Sequence, residues 1–530
     1  MAFQSRRRPV RCRPFLSRPT RLLSGLVVAV TALLPGPALA LASPPSGAAA
    51  HFDPAACPTP NVPGFPQLDL GPEFSCGYLT VPEHRSVPDG RTIRMAVARV
   101  KAASPNPRPD PILWLTGGPG GSAIATAVLT VQAGLNRDRD IVFVDQRGTL
   151  HSDPLLSCPE IDAFLNDALA LPALDPATGE RSSAATRACR DRLAGQGYDL
   201  AAYHTTENAA DLADLRTALG IGRWNVYGVS YGTDLALQLL RDHPRGIRSL
   251  VLDSLLPPQV NFVNGSWPNA ASGYRALFEA CSAQPACATA YPDLAGEFTR
   301  TVARLARQPL IAEAPDTAGG PVRRVVIDGY TLANLVVQES LRPGTYAGLP
   351  ALIHSAAQGD GGPAARELVN SLSPPGIVGY GLTFGVFCRE HVPYTDPATE
   401  LAKAEQALPG FPDEVLALVP QSPRIFDDCG IWDVGKAPAS VRHPVRSAVP
   451  VLLLDGTFDA VTPPGWAKIA ARGLSSSRLL LFPGIGHDVV SASDCARSIM
   501  VDFLQRPRGG YDTSCLSQVT VPQFTTGPTS

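Results

Sequence analysis

Charge is scarce in this sequence. Asp, Glu, Lys and Arg make up only 17% of its 530 residues, and the formal net charge is −2. With no basic surplus to neutralise phosphates, nucleic acid and anionic membrane surfaces are excluded as electrostatic partners. No C-x-x-C and no paired Cys/His spacing suited to zinc occurs, so there is no sequence case for a metal, and no motif calls for a cofactor. Internal repeats and heptads are missing as well, which removes solenoids and coiled coils. What is plentiful is proline (53) and glycine (47), spread without a period, which points to a loop-rich globular protein rather than collagen or a disordered tail. At 45% hydrophobic, the chain can bury a large core and exceeds one average domain.

The first forty residues read as a targeting segment. Arg6, Arg7, Arg8, Arg11, Arg13, Arg18 and Arg21 precede an apolar run from Leu22 to Leu34, and Ala38-Leu39-Ala40 supplies a small-residue cleavage site. That pattern is a secretory signal peptide over residues 1–40. The rival reading, a membrane anchor, fails on length and on the lack of a following basic cluster. The expected location is therefore secreted or periplasmic, with no stable membrane span in the mature protein. Setting Cys12 aside leaves Cys57, Cys76, Cys158, Cys189, Cys281, Cys287, Cys388, Cys429, Cys495 and Cys515, an even number that in an exported chain predicts disulfides. Spacing does not determine their connectivity.

From about Phe74 onward, strand-like and helix-like pieces alternate. Tyr78–Val81 and Ile93–Val100 read as strands joined through the turn Pro88-Asp89-Gly90. Pro111–Leu115 and Ile141–Val144 are short continuous apolar runs, as in strands covered on both faces. Helical spacing follows at Ala209–Leu219, then a strand at Trp224–Val229, a helix at Asp234–Asp242 and a strand at Leu250–Leu252. Val449–Leu454 and Arg478–Phe482 are further strands, flanking a helix at Trp466–Ala471. This alternation predicts a mainly parallel sheet with helices on both faces. Residues 257–445 break the rhythm with helical spacing at Tyr274–Ala280 and Leu332–Leu341, and are expected to form a largely helical cap over the carboxyl ends of the strands. The expected organisation is a signal peptide at 1–40, a first core part at 41–256, the cap at 257–445 and a second core part at 446–530.

The chemistry concentrates after three strands. Gly228-Val229-Ser230-Tyr231-Gly232 lies between a strand and a helix, where a serine is held strained and exposed at the tip of the turn. A serine hydroxyl needs a base, and the base needs an acid to orient it. On such a sheet these follow in the order Ser, Asp, His. Asp459, beyond the strand ending at Leu454, and His487, beyond the one ending at Phe482, meet that order. Asp253 and Asp455 are rival acids, the first better suited to capping a turn and the second too close to its strand. His151, His204 and His391 are expected to be surface or hydrogen-bonding residues. The run Gly117-Gly118-Pro119-Gly120-Gly121-Ser122 follows a strand and can present the Gly118 N–H, together with that of Tyr231, to an oxyanion. It lacks the Lys-Ser/Thr ending of a phosphate loop.

Thr116-Gly117-Gly118-Pro119-Gly120-Gly121-Ser122, Asp145-Gln146-Arg147-Gly148, Gly228-Val229-Ser230-Tyr231-Gly232-Thr233 and Gly456-Thr457-Phe458-Asp459-Ala460-Val461-Thr462-Pro463 occur in this order. Together they resemble the proline iminopeptidase and tripeptidyl aminopeptidase family, in particular its exported, disulfide-bearing branch with a TAP-like C-terminal region. The resemblance runs over roughly 57–515. It implies an α/β-hydrolase fold and a cofactor-free Ser230–His487–Asp459 triad. It further implies an acyl-enzyme and release of single residues or short peptides from free amino termini. An esterase on the same triad is the alternative, so peptides and small esters are the expected substrates. Thr116 stands where the family often has His and Leu150 where it has Gly, which bears on proline specificity. Neighbouring cysteines flank single loops, and the resemblance implies the same pairs: Cys57–Cys76, Cys158–Cys189, Cys281–Cys287, Cys388–Cys429 and Cys495–Cys515. It also implies an acidic anchor for the substrate ammonium shortly after Cys388. Glu390 is the preferred residue, with Asp427 and Asp428 brought near it by the Cys388–Cys429 bridge.

Overall fold

The computed structural model describes residues 50–60, 62, 70–87, 89–316 and 320–527. The expected signal peptide lies outside them, as does Pro88 of the expected turn. A nine-stranded sheet organises the chain. Its strands are β1 (His51–Ala55), β2 (Phe74–Pro82), β3 (Thr92–Val100), β4 (Ile112–Leu115), β5 (Ile141–Val144), β6 (Trp224–Val229) and β7 (Ile247–Asp253). β8 (Leu310–Ala314) and β9 (Arg323–Ile327) form a separate antiparallel pair, and β10 (Val451–Gly456) and β11 (Ser477–Phe482) complete the main sheet. The order is β1-β2-β3-β5-β4-β6-β7-β10-β11. β1, β2 and β3 are antiparallel to their neighbours, whereas β5, β4, β6, β7, β10 and β11 run parallel. Every residue of β4, β5, β6 and β10 is buried, the mark of parallel strands covered on both faces.

The parallel run carries the carboxyl ends of β4, β6, β10 and β11 to one edge of the sheet, where open α/β sheets hold their ligands. The turn after β5 is secured from inside the protein. The fully buried Arg147 guanidinium makes a bidentate pair with Asp211, at 2.8 and 2.9 Å, and donates to the carbonyls of Glu83 and Ala202. A fork of donors matched to a carboxylate accounts for arginine there.

Elements lie where periodicity placed them, with ends that differ for local reasons. The helix expected from Asp234 begins at Tyr231, directly after Ser230. The one expected from Ala209 begins at Thr205. β1 escaped notice because His51-Phe52-Asp53-Pro54-Ala55 is mostly exposed and has no apolar alternation. Between β7 and β10 the chain is helical apart from β8 and β9. Those helices do not form their layer alone. Two more, Pro159–Ala168 and Pro176–Gly195, lie between β5 and β6 and pack into it. Val326 N donates to Leu169 O at 2.7 Å, and Thr186 Oγ1 donates to Asp428 at 2.7 Å. Five disulfides close loops: Cys57–Cys76, Cys158–Cys189, Cys281–Cys287, Cys388–Cys429 and Cys495–Cys515, with Cα separations of 4.8, 5.3, 5.2, 4.9 and 5.6 Å. Among the described residues no helix is long and apolar enough to cross a membrane.

Candidate active site

Ser230 sits between the end of β6 and the helix Tyr231–Asp242, with φ 58° and ψ −129°. That is a costly backbone conformation for a residue with a side chain, and it persists because its surroundings hold it. Ser230 N donates to Asp253 O at 3.0 Å, and the Thr233 hydroxyl donates back to Ser230 O at 2.6 Å. The neighbouring glycines make room for the turn. A Cβ on Gly232 would stand 2.6 Å from Leu115 O, and one on Gly117 would stand 2.5 Å from the Ser230 Cβ and 3.0 Å from its Oγ. The glycine run after β4 and the glycines around Ser230 thus serve one close approach.

Ser230 lines a cavity of about 380 Å³, together with Gly117, Gly118, Tyr231 and His487. The Tyr231–Asp242 helix starts at the cavity wall with Tyr231, so its positive end lies there, and its Thr233 N–H is taken up by Ser230 O at 2.9 Å. Phe262, Phe387, Leu256 and Leu341 supply apolar walls.

His487 is 8% exposed, and its Nδ1 lies 2.8 Å from Asp459 Oδ2. The Asp459 carboxylate also accepts Val461 N, Thr462 N and the Thr462 hydroxyl, each at 2.8 Å. Burial alone would push this carboxyl up, but the His487 charge and these donors outweigh it and hold it below the usual carboxylate range. For His487 burial pulls the imidazolium down, yet Asp459, with help from Asp488 and Asp253, raises it above the ordinary histidine value. Nδ1–H donating to Asp459 leaves Nε2 as the ring's acceptor. The backbone N–H of His487, bonded to Ser340 O at 2.8 Å, fixes its loop.

The rival acids have other partners. Asp253 accepts Val489 N at 2.9 Å and Val490 N at 2.8 Å, capping the turn that follows His487. Burial, then the Asp488 charge, push it up to about 7. Asp455 is fully buried with neither carboxyl oxygen hydrogen-bonded. Burial and the adjacent Asp459 and Asp253 raise it well above the usual carboxylate range. His151 is wholly buried rather than at the surface, and pairs with Asp145 at 2.7 Å. His391 is also buried and His204 half-buried, and each is depressed to about 3, first by loss of solvent and then by nearby arginines.

The three expected ammonium anchors part company. Although Cys388 and Cys429 are bridged, their neighbours point different ways, because a short disulfide fixes two Cα atoms and not the side chains around them. Glu390 is 3% exposed, and its carboxylate accepts Thr205 N at 2.9 Å and the Thr205 hydroxyl at 2.7 Å, behind Tyr231. Asp428 is closed onto Thr186, and Asp427 lies with Arg187 and Glu180 on an outer depression. None of the three lines the cavity that holds Ser230. What sequence reasoning overlooked is Thr462, which clasps Asp459; a threonine three residues after an aspartate is the legible trace of such a local turn. Among the described residues no group of three His, Cys, Asp or Glu side chains is placed to hold a metal ion.

Comparison with known proteins adds family context. The family model described as alpha/beta hydrolase fold matches residues 110–288, and that described as TAP-like protein matches 420–515. The tripeptidyl aminopeptidase of Streptomyces coelicolor is 33% identical over 202 residues, 36% of this chain and 36% of that one. Serine protease Hip1 of Mycobacterium tuberculosis is 29% identical over 213 residues, covering 38% of this chain and 40% of that one. The proline iminopeptidase of Neisseria gonorrhoeae is 25% identical over 205 residues, covering 39% and 47%. Each match therefore spans less than half of the relative's length.

Proposed function

The chain is an α/β-hydrolase similar to the tripeptidyl aminopeptidases and proline iminopeptidases, and from that premise we propose that it is an exported serine peptidase acting at the free amino terminus of short peptides. The observation that carries the reading is the Asp459–His487 pair, 2.8 Å apart, lining the same cavity as a strained Ser230. Ser230 Oγ attacks the scissile carbonyl while His487 Nε2 takes its proton. Asp459 holds the ring in the required tautomer and offsets the imidazolium charge. The oxyanion is met by the N–H of Tyr231 at the helix start and by that of Gly118. His487 then protonates the leaving amine, and water resolves the acyl-enzyme by the reverse sequence.

The helices between β7 and β10, joined by Pro159–Ala168 and Pro176–Gly195, form the cap that limits access to this site. Five disulfides fit an oxidising compartment, in keeping with export after removal of residues 1–40. Two measurements test the proposal. A fluorophosphonate probe should label Ser230, and labelling should vanish in Ser230→Ala. A peptidyl anilide with a free amino terminus should be cleaved much faster than its N-acetyl counterpart; equal rates would leave a serine hydrolase without amino-terminal selectivity.

A further inference from the structure

The residue after Ser230 has a hydroxyl that the chemistry above does not use. Tyr231 is 1% exposed, and its phenol oxygen lies 3.1 Å from Thr205 Oγ1. Thr205 opens the helix Thr205–Ala218, and Glu390 takes both of its donors, the N–H at 2.9 Å and the hydroxyl at 2.7 Å. A hydroxyl has one proton. With that proton on Glu390 the Thr205 oxygen can only accept, and the Tyr231 O–H is its donor. One turn further on, Asn208 Nδ2 donates to the Tyr231 oxygen at 3.4 Å and to Gln146 Oε1 at 3.5 Å. Gln146 Nε2 in turn donates to Thr116 O at 3.1 Å, and Thr116 opens the run that reaches Gly118. A single hydrogen-bonded chain therefore joins Glu390 to both segments that carry the oxyanion N–H groups.

Glu390, Thr205, Tyr231, Asn208 and Gln146 are each at most 3% exposed. Polar groups so placed cost stability unless they bond to one another, and a bonded set holds the parts it joins in one arrangement. Two of those parts are the core helices that start at Thr205 and Tyr231; the third is the segment Phe387–His391 of the helical layer. That segment is a widened turn, closed by the Val392 N–H on Phe387 O five residues back. Its Phe387 lines the Ser230 cavity and stacks at 5.2 Å on Phe262, another lining residue. Cys388 within it is bridged to Cys429, and His391 O accepts the Asn261 amide at 2.9 Å. One short segment thus supplies both an apolar wall of the cavity and a brace for the ring of Tyr231.

We propose that Glu390, Thr205 and the Tyr231 hydroxyl are positioning residues for the oxyanion site. They hold the helix start so that the Tyr231 N–H stays aimed at the developing negative charge, and they make that aim depend on the seating of Phe387–His391. A fixed donor stabilises the transition state because it need not move to meet it, so a loosened brace costs rate rather than substrate affinity. This rests on the reading above, in which Ser230 is the nucleophile and the Tyr231 N–H meets the oxyanion.

The test uses the full mature chain. Tyr231→Phe and Thr205→Val each delete one hydroxyl and keep the Tyr231 N–H and the packed volume. Each should lower kcat on a p-nitrophenyl ester by roughly tenfold to a hundredfold with KM unchanged, as small misplacements of aligned groups do. Each should weaken a peptide aldehyde by a similar factor, because Ser230 Oγ adds to its carbon and leaves its oxygen at the oxyanion site. The matching peptide alcohol, which forms no adduct, should bind as before; the ratio of the two affinities is indifferent to partial misfolding. The double variant should lose no more than the worse single one, since both break the same chain. Glu390→Gln, with one acceptor where the carboxylate has two, should fall between these variants and the wild type. Wild-type rates in Tyr231→Phe or Glu390→Gln, losses that multiply in the double variant, or aldehyde and alcohol weakened alike would each overturn the inference and leave Ser230 as the nucleophile. A wild type that holds the aldehyde no better than the alcohol overturns both.

Discussion

Two clusters in this protein contain serine, histidine and aspartate, and they could hardly behave more differently. Around Asp459 and His487 the histidine lines a cavity shared with a strained serine. Around Asp145 and His151 the acid and the histidine are sealed, while Ser122 is half-buried. The Ser122 hydroxyl lies 2.8 Å from both Asp145 oxygens, His151 Nδ1 lies 2.7 Å from Asp145, and both Asp145 and His151 are fully buried. Asp145 further accepts Ile124 N at 3.0 Å and His151 N at 3.1 Å. That second cluster ties the end of the glycine run to the turn after β5. The difference teaches that residue types and hydrogen bonds do not make a nucleophile. What separates them is the setting: Ser230 and His487 line a common cavity, whereas Asp145 and His151 are fully buried.

The contrast can be broken by exchanging which property each cluster loses. The largest effect is expected for Ser230→Ala, about a million-fold in kcat; turnover close to wild type would remove Ser230 from the chemistry. Next comes Asp459→Asn, which should lower kcat by about ten-thousand-fold because the histidine loses its tautomer and its counter-charge. Its residual activity carries a second signature. The base works only when neutral, so kcat/KM rises as pH climbs through the His487 pKa, which Asp459 holds above the ordinary value. Without that carboxylate, burial prevails and the acid limb of the profile should move to lower pH; a limb that stays in place would show that Asp459 does not set it. Smaller in rate but larger in stability is Asp145→Asn. Weakening a buried acid that four donors address should cost about 3 kcal/mol of unfolding free energy, read from denaturant midpoints. Ser122→Ala is the mildest, with a loss of about 1–2 kcal/mol and no loss of fluorophosphonate labelling. If Ser122→Ala instead abolished labelling, the distinction between the two clusters would fail.

Much of this was legible in the sequence. The uninterrupted apolar runs at β4, β5 and β6 announced strands covered on both faces, and the glycines about Ser230 announced a turn too crowded for side chains. Asp459 and His487 could be found because each follows a strand that the parallel order brings to the same edge. The Pro159–Ala168 and Pro176–Gly195 helices gave no hint that they would join the helical layer, since their partners, such as Asp428 for Thr186, lie hundreds of residues away. The three carboxylates expected at the substrate ammonium lie outside the lining of the Ser230 cavity for a related reason. The Cys388–Cys429 bridge formed as expected, but the direction of Glu390, Asp427 and Asp428 depends on packing against Thr205 and Thr186, which no local pattern encodes.

By itself, then, the sequence determined the sheet, the strained serine turn and the order of acid and histidine, because these follow from apolar periodicity, glycine sterics and strand connectivity, all local properties of the chain. Only the tertiary structure decided that Glu390 closes onto Thr205, that Asp428 closes onto Thr186 and that Asp455 stays buried without a hydrogen bond. Those outcomes depend on desolvation and on hydrogen bonds between segments far apart in the chain, which no local pattern encodes.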